Sequence, residues 1–309
     1  MKLSKPCEPF MEGISHIAIE VSDLKRGEEF YRDLLGFESL GGDLVPGCGR
    51  SVSLRASSGQ WLVLCESSEP RSLTETGVHQ AYRVAAAHRE AIGKKLASRD
   101  IQAHTYKEDR PAEEGDNFYF YDPDGNRIQL VISKTQAGAG GRILGIDHAA
   151  MECHDLEWAE DFYGKTLGLS VDHRVGWSTK DYVRAKLWGE GKEEMAPGTR
   201  RWDQRYTVME QKRRLPRPNT QLFLHVGDDV LGVYLATQHR QEPPEDQIVG
   251  TPRIGFRTSR RTLDKSVKLL KERRSPLHGP IEHPASIPIA VSIYFKDPGG
   301  NFLELSVPR

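Results

Sequence analysis

Residues 14–38 read ISHIAIEVSDLKRGEEFYRDLLGFE, and residues 146–170 read IDHAAMECHDLEWAEDFYGKTLGLS. At a spacing of 132, His16 meets His148, Asp23-Leu24 meets Asp155-Leu156, Phe30-Tyr31 meets Phe162-Tyr163 and Leu35-Gly36 meets Leu167-Gly168. Identities this dense make the chain an internal duplication, and a repeat decides the architecture before any single residue does. The halves also end alike, YFYDPDGNRIQLV at 119–131 against YFKDPGGNFLELSV at 294–307. Each ending is a DPxGN turn between two alternating apolar runs, which is hairpin chemistry. There the spacing is 175 against 132, so the second half carries 43 extra residues. A weaker pair, VHQAYRVAAAHREAIGKKLASRD from 78 and PRIGFRTSRRTLDKSVKLLKERR from 252, is spaced by 174, which puts nearly all of the insertion before residue 253, at about 174–220.

Within a unit the pattern changes from period two to helical. His16, Ala18 and Glu20 alternate with Ile17, Ile19 and Val21, so strand geometry sends the two sets to opposite faces. Ser22 or Asp23 caps the next segment, its apolar residues Leu24, Phe30, Leu34 and Leu35 cover the Ile/Val face, and Gly36 stops it. His16 is left on the concave face. The same phase argument puts Arg127 and Gln129, and in the second half Phe302, Glu304 and Ser306, on the cavity side. The chain thus predicts four strand–helix–strands units starting near 14, 78, 146 and 252. They are grouped as an N-terminal extension 1–13, a domain 14–134, a Gly/Ala-rich linker 135–145 and a domain 146–309 that carries the insertion.

Composition narrows the function. With 37% hydrophobic and 28% charged residues the chain is globular rather than disordered, and no run approaches a membrane span. A formal charge of −1 supplies no field to steer nucleic acid, and the start lacks a secretory signal, so the expectation is a cytoplasmic protein, monomer or homodimer, whose partner is a small molecule and neither nucleic acid nor membrane. Four cysteines without a CxxC pair read as reduced thiols, with Cys65 and Cys153 as small buried hydrophobes.

These motifs resemble the opening and closing signatures of vicinal-oxygen-chelate proteins, the superfamily of glyoxalase I, bleomycin-resistance proteins and extradiol dioxygenases, over almost the whole chain. The resemblance implies an α+β fold of tandem paired βαβββ units, in two glyoxalase/dioxygenase-like domains each curling an eight-stranded mixed sheet around a cavity. In metal-using members two imidazoles and a carboxylate leave open positions on a cation where adjacent substrate oxygens bind. Carried over, the first domain offers His16, His79 and Gln129, and the second His148, Arg253 and Glu304. In the first, a neutral amide replaces the carboxylate. In the second, a permanent guanidinium stands where a ligand should and pairs with Glu304. Exchanging His16 and His148 completes neither set, because His79 travels with Gln129 and Arg253 with Glu304. The fourth position of glyoxalase I falls near Val63, and near Val233 or Tyr234.

The expectation is therefore an enzyme like a two-domain extradiol dioxygenase, acting on a small aromatic or oxygen-rich substrate. Fe(II) or Mn(II), with Zn or Ni as substitutes, would sit at His16, His79 and Gln129. Candidate catalytic groups are His148, Glu304, Tyr234 and His225. Arg253 and the insertion's Trp177, Trp188, Trp202 and Tyr206 are candidates for binding substrate, Tyr182 and His239 flank the region, and the insertion itself reads as a lid or a surface extension. The alternatives are a metal-free binding protein of the bleomycin-resistance type, or a lyase or isomerase using Glu304 or a histidine as base.

Overall fold

The computed structural model describes residues 11–71, 73, 77–105, 117–133, 142–175, 220–236 and 242–309. The first unit is β1 (Gly13–Val21), α1 (Leu24–Glu29) running on into a π-helical turn (Phe30–Leu35), β2 (Glu38–Gly42), β3 (Ser51–Arg55) and β4 (Trp61–Glu66). The second is β5 (His79–Ala85), α2 (Ala86–Ser98), β6 (His104–Thr105), β7 (Phe118–Tyr121) and β8 (Arg127–Ser133). The third is β9 (Ile143–Cys153), α3 (Leu156–Glu160) with its π-helical turn (Asp161–Thr166), β10 (Ser170–Val175), β11 (Gln221–Val226) and β12 (Asp229–Leu235). The fourth is β13 (Arg253–Arg257), α4 (Arg260–Glu272), β14 (Leu277–Glu282), β15 (Ile289–Lys296) and β16 (Phe302–Pro308).

The repeat is visible in the caps. Asp23 accepts the amide of Arg26, its counterpart Asp155 accepts those of Glu157 and Trp158, and Gly36 ends the first helix with φ 91°. Among the described residues no helix is long and apolar enough to cross a membrane.

Two eight-stranded mixed sheets result, as the sequence predicts, but the units pair differently from the expected order. One sheet runs β14-β15-β16-β13-β1-β4-β3-β2 and the other β10-β11-β12-β9-β5-β8-β7-β6. The first unit thus joins the fourth, and the second joins the third. Segments 14–134 and 146–309 do not each curl a sheet of their own. The repeat cannot distinguish the two arrangements, because either buries the same Ile/Val faces and exposes the same concave ones.

What still holds each half together is the pair of motifs that revealed the duplication. Tyr31 donates its hydroxyl to Asp122 of the first DPxGN turn (3.0 Å), and Tyr163 donates to Asp297 of the second (2.8 Å). Asn126 donates to the Glu20 carbonyl (3.0 Å), and Asn301 to that of Glu152 (2.8 Å). Sheets pair across the halves while helices and turns pair within them, so one continuous apolar cluster extends over both. At the crossing, Gln60 donates to Asp229 (3.0 Å). Asp229 accepts the amide of Ile14 and Gln60 that of Ile146, each at 2.8 Å, so the equivalent starts of β1 and β9 are tied by two non-identical residues.

Candidate active site

Register aligns the same three positions in both sheets. In one, His16 lies opposite Gly255 and Gly255 opposite Glu304, with Arg253 two residues before the glycine. In the other, His148 lies opposite Ala81 and Ala81 opposite Gln129, with His79 two residues before the alanine. The expected set of His16, His79 and Gln129 is therefore divided: His16 belongs to the other cup, and His148 takes its place beside His79 and Gln129. The exchange follows from the crossed pairing of units.

In the cup of His16 the centre is an enclosed ion cluster. Glu304 is ion-paired with Arg253 Nε (3.0 Å), approaches His16 Nε2 (3.3 Å) and accepts the Ser292 hydroxyl (2.7 Å), with Arg253 and Glu304 fully buried. Burial alone would raise the Glu304 carboxyl, but the Arg253 guanidinium and His16 hold it at about 2. The guanidinium also donates to the Pro46 carbonyl (2.8 Å), meets Cys48 Sγ at 3.2 Å and lies 5.0 Å from the Tyr294 ring centre. Val45 and Cys48, from the β2–β3 connection, pack on Ala18, Val63, Cys65 and Ile289 and fill this concavity with apolar side chains. Arg253 and Glu304, expected as substrate and catalytic groups, are here consumed by one another. The valine at the fourth ligand position, Val63, contributes only packing. A metal does not fit, since a tethered cation already sits among its donors.

The other cup is organised around two imidazoles. His79 Nε2 and His148 Nε2 are 3.0 Å apart. His79 Nδ1 donates to the Gly77 carbonyl (2.9 Å), and His148 Nδ1 to the Asp147 carboxylate (2.7 Å), which Arg83 backs at 3.7 Å. Both acceptors fix the proton on Nδ1 and aim the Nε2 lone pairs at one point. Two lone pairs so close repel unless a positive centre lies between them. Burial above all, then His148 and the Arg127 cation, pushes His79 well below the usual imidazole range, so its ring is neutral. The neutral amide of Gln129 adds a third donor without charge. Among the described residues no three His, Cys, Asp or Glu side chains gather as a metal site, and the third member of this trio is indeed the amide. Two imidazoles and an amide oxygen suit a divalent first-row ion.

Aromatic rings wall the site. Tyr119 and Tyr234 stand 5.9 and 5.5 Å from the His79 ring, Phe223 lies 6.3 Å from Tyr234, and Arg127 lies 4.7 Å from Tyr119. Tyr234, one of the sequence candidates, thus lies beside His79. His225 does not: it is half-exposed on β11, two strands from β9, and pairs with Asp172 at 3.0 Å. Trp177, Tyr182, Trp188, Trp202, Tyr206 and His239 lie outside the described residues. Between the cups is a cavity of about 70 Å³ whose walls include His79, Arg127 and Glu152 from one side and Arg253 and Phe302 from the other.

Several contributors escaped sequence reasoning. Asp147 and Gly77 orient the imidazoles, and Glu152, buried on β9, accepts the Gly77 amide, so it anchors the carbonyl that His79 uses. Another is the residue at the middle of each row. A Cβ at Gly255 would lie 2.1 Å from the His16 ring, so only glycine lets that ring rest on β13 toward Glu304. Ala81 has that methyl, and His148 stands toward His79 instead. A glycine inside a strand was the available signal.

Residues 13–130 match the family model of the Glyoxalase/Bleomycin resistance protein/Dioxygenase superfamily. Glutathione transferase FosA of Serratia marcescens is 24% identical over 131 residues, 41% of this chain and 85% of that protein. A Bacillus subtilis subsp. subtilis str. 168 protein provisionally named a dioxygenase superposes with a TM-score of 0.64 over 97% of this chain and 86% of its own, at 12% identity. Glyoxalase I from Zea mays does so with 0.57 over 96% and 92%, at 15% identity. Residues 13–130 thus resemble this superfamily in sequence, and the crossed, duplicated sheets share the fold of the two solved structures over nearly the whole chain.

Proposed function

We propose that this protein is a metal-dependent enzyme with one working cup, in which His79, His148 and Gln129 hold a divalent cation, Fe(II) or Mn(II) before Zn or Ni. The observation that carries the reading is the pair of Nε2 atoms 3.0 Å apart, each with its Nδ1 committed to an acceptor. When bound, the cation supplies Lewis acidity toward a substrate with two adjacent oxygens. The protein's own residues do the rest. Gly77 and Asp147 keep both rings in the ligating tautomer, Tyr119, Tyr234 and Phe223 offer flat apolar walls, and Arg127 adds positive charge beside them. Because no carboxylate neutralises the cation, the site favours a chelating substrate that is itself anionic, such as an aromatic diol or an oxygen-rich acid, and ring cleavage of the extradiol type is the leading reaction.

A metal-free binding role is the second reading, favoured by the amide at position 129. One experiment separates them: elemental analysis after anaerobic reconstitution, on the wild type and the His79→Ala, His148→Ala and His16→Ala variants. Close to one equivalent in the wild type and in His16→Ala, lost in the other two, supports the enzyme and leads to oxygen-uptake assays with catechols. No metal above trace in the wild type, or retention in His148→Ala, overturns it.

A further inference from the structure

The plugged cup contains chemistry that the proposed reaction does not use. Cys48, in the β2–β3 connection, meets Arg253 Nη2 at 3.2 Å. It packs with Cys65 of β4 in the same small apolar cluster. The connection is brought over β4 by pairing of Ser51 with Cys65 and by the amide of Glu66 donating to the Arg50 carbonyl (2.9 Å). Cys48 is 6% exposed and Cys65 2%, so a small oxidant reaches Cys48 first. The third described cysteine, Cys153, is set apart and directs its Sγ at the Asp155 carbonyl (3.1 Å).

We propose that Cys48 and Cys65 form an oxidation site, in which Cys48 reacts with hydrogen peroxide beside the Arg253 cation and Cys65 resolves the product into a Cys48–Cys65 disulfide. In the first step the Cys48 thiolate attacks one peroxide oxygen. An S–O bond forms, the O–O bond breaks, sulfur loses two electrons, and the departing hydroxide takes a proton to become water. In the second, Cys65 sulfur attacks the sulfenic sulfur, the S–S bond forms, and the S–O bond breaks to release water with the Cys65 proton. The groups are divided accordingly: the neighbouring Cys65 thiol, with help from the Arg253 cation, outweighs burial and lowers the Cys48 thiol, while Cys65 is raised. A guanidinium beside the sulfur favours the anion that attacks and the hydroxide that leaves. Oxidation takes from Arg253 one of its acceptors and ties the connection that fills the cup to β4.

The test treats the reduced full-length protein with hydrogen peroxide, alkylates remaining thiols under denaturing conditions and maps peptides by mass. The expected result is a Cys48–Cys65 linked pair, two hydrogens lighter, while Cys153 is alkylated. In Cys65→Ser the Cys48 sulfenic acid is trapped by dimedone, and in Cys48→Ser, Cys65 remains alkylated. The proposal is overturned if both cysteines stay alkylated under peroxide that oxidises added free thiol, if Cys48 instead pairs with Cys7 or with another chain, or if Cys65 oxidises equally in Cys48→Ser. Serine is close to cysteine in size, and the wild-type map alone decides the outcome should either variant misfold.

Discussion

Replacing Gln129 by glutamate supplies the charge that the proposed metal site lacks, and its effect follows from the surroundings. Gln129 is buried on β8 opposite Ala81, which lies two residues from His79 on β5, with the Arg127 cation two residues away on the same face of β8. At about 4 Å and an effective dielectric of 20, a carboxylate attracts a monovalent cation by about 4 kcal/mol, and a divalent ion by more. Desolvating the carboxylate removes several kcal/mol of this, which leaves a net gain of about 1–3 kcal/mol, or roughly 10–100-fold in metal affinity. Without metal the same carboxylate is a buried charge compensated only by Arg127, so the metal-free variant should be less stable than wild type. The assay is calorimetric titration of Mn(II) into stripped protein under anaerobic conditions, with melting temperatures recorded with and without the ion. The Gln129→Glu variant should bind more tightly, and its melting temperature should rise more on adding metal. Equal affinity within about threefold, together with an unchanged response to metal, would refute the placement of position 129 in the site.

The remaining predictions concern the frame. Gly255→Ala places a methyl 2.1 Å from the His16 ring and should cost about 1–3 kcal/mol in chemical denaturation without altering metal content; a change below a few tenths would show that His16 is free to move. Tyr31→Phe removes a donor to Asp122, whose carboxyl burial raises to about 6 from 3.8. The hydrogen bond matters most to the ionised carboxylate, so the loss of melting temperature should be larger at pH 8 than at pH 5, and equal losses would count against it. Glu304 is the opposite case: its folded value of about 2 lies below the ordinary 4.5, so its contribution is present above pH 4.5 and is lost as pH falls toward 2. Arg253→Met should shift the acid-unfolding midpoint upward, and an unmoved midpoint would mean the pair does not govern acid stability.

The sequence predicted the four units, both motifs and the concave positions because each rests on local periodicity: His16, His79, Gln129, His148, Arg253 and Glu304 all occupy cavity faces as their strand phase requires. It did not reveal which unit pairs with which, because β1 is equally suited to β5 or β13. That choice is made by non-local contacts such as Gln60 with Asp229, and neither residue carries a local signature. Once the partner changed, His16 and His148 exchanged cups. The positioning groups were hidden for a different reason. Gly77 acts through its backbone, and Asp147 is notable only once His148 is known to need an acceptor.

The asymmetry of the cups follows from joining all four units in one chain. Two identical chains related by a twofold axis would have identical cups, so any residue serving as a plug on one side would obstruct the other. Covalent duplication lifts that constraint. Arg253 can supply a permanent cation to Glu304 and His16 while its counterpart His79 stays neutral, and Gly255 can admit a ring where Ala81 turns one away. The same freedom appears at the crossing, where two copies of Asp229 would repel but Asp229 facing Gln60 makes a hydrogen bond at 3.0 Å. The connection that fills the closed cup joins β2 to β3, and the insertion occupies the equivalent place between β10 and β11. In the proposed division of labour, stability is therefore concentrated in the cup of Arg253 and chemistry in the cup of His79. Substitutions in the first should then be read out in denaturation and those in the second in metal binding, with little crossover between the two measurements.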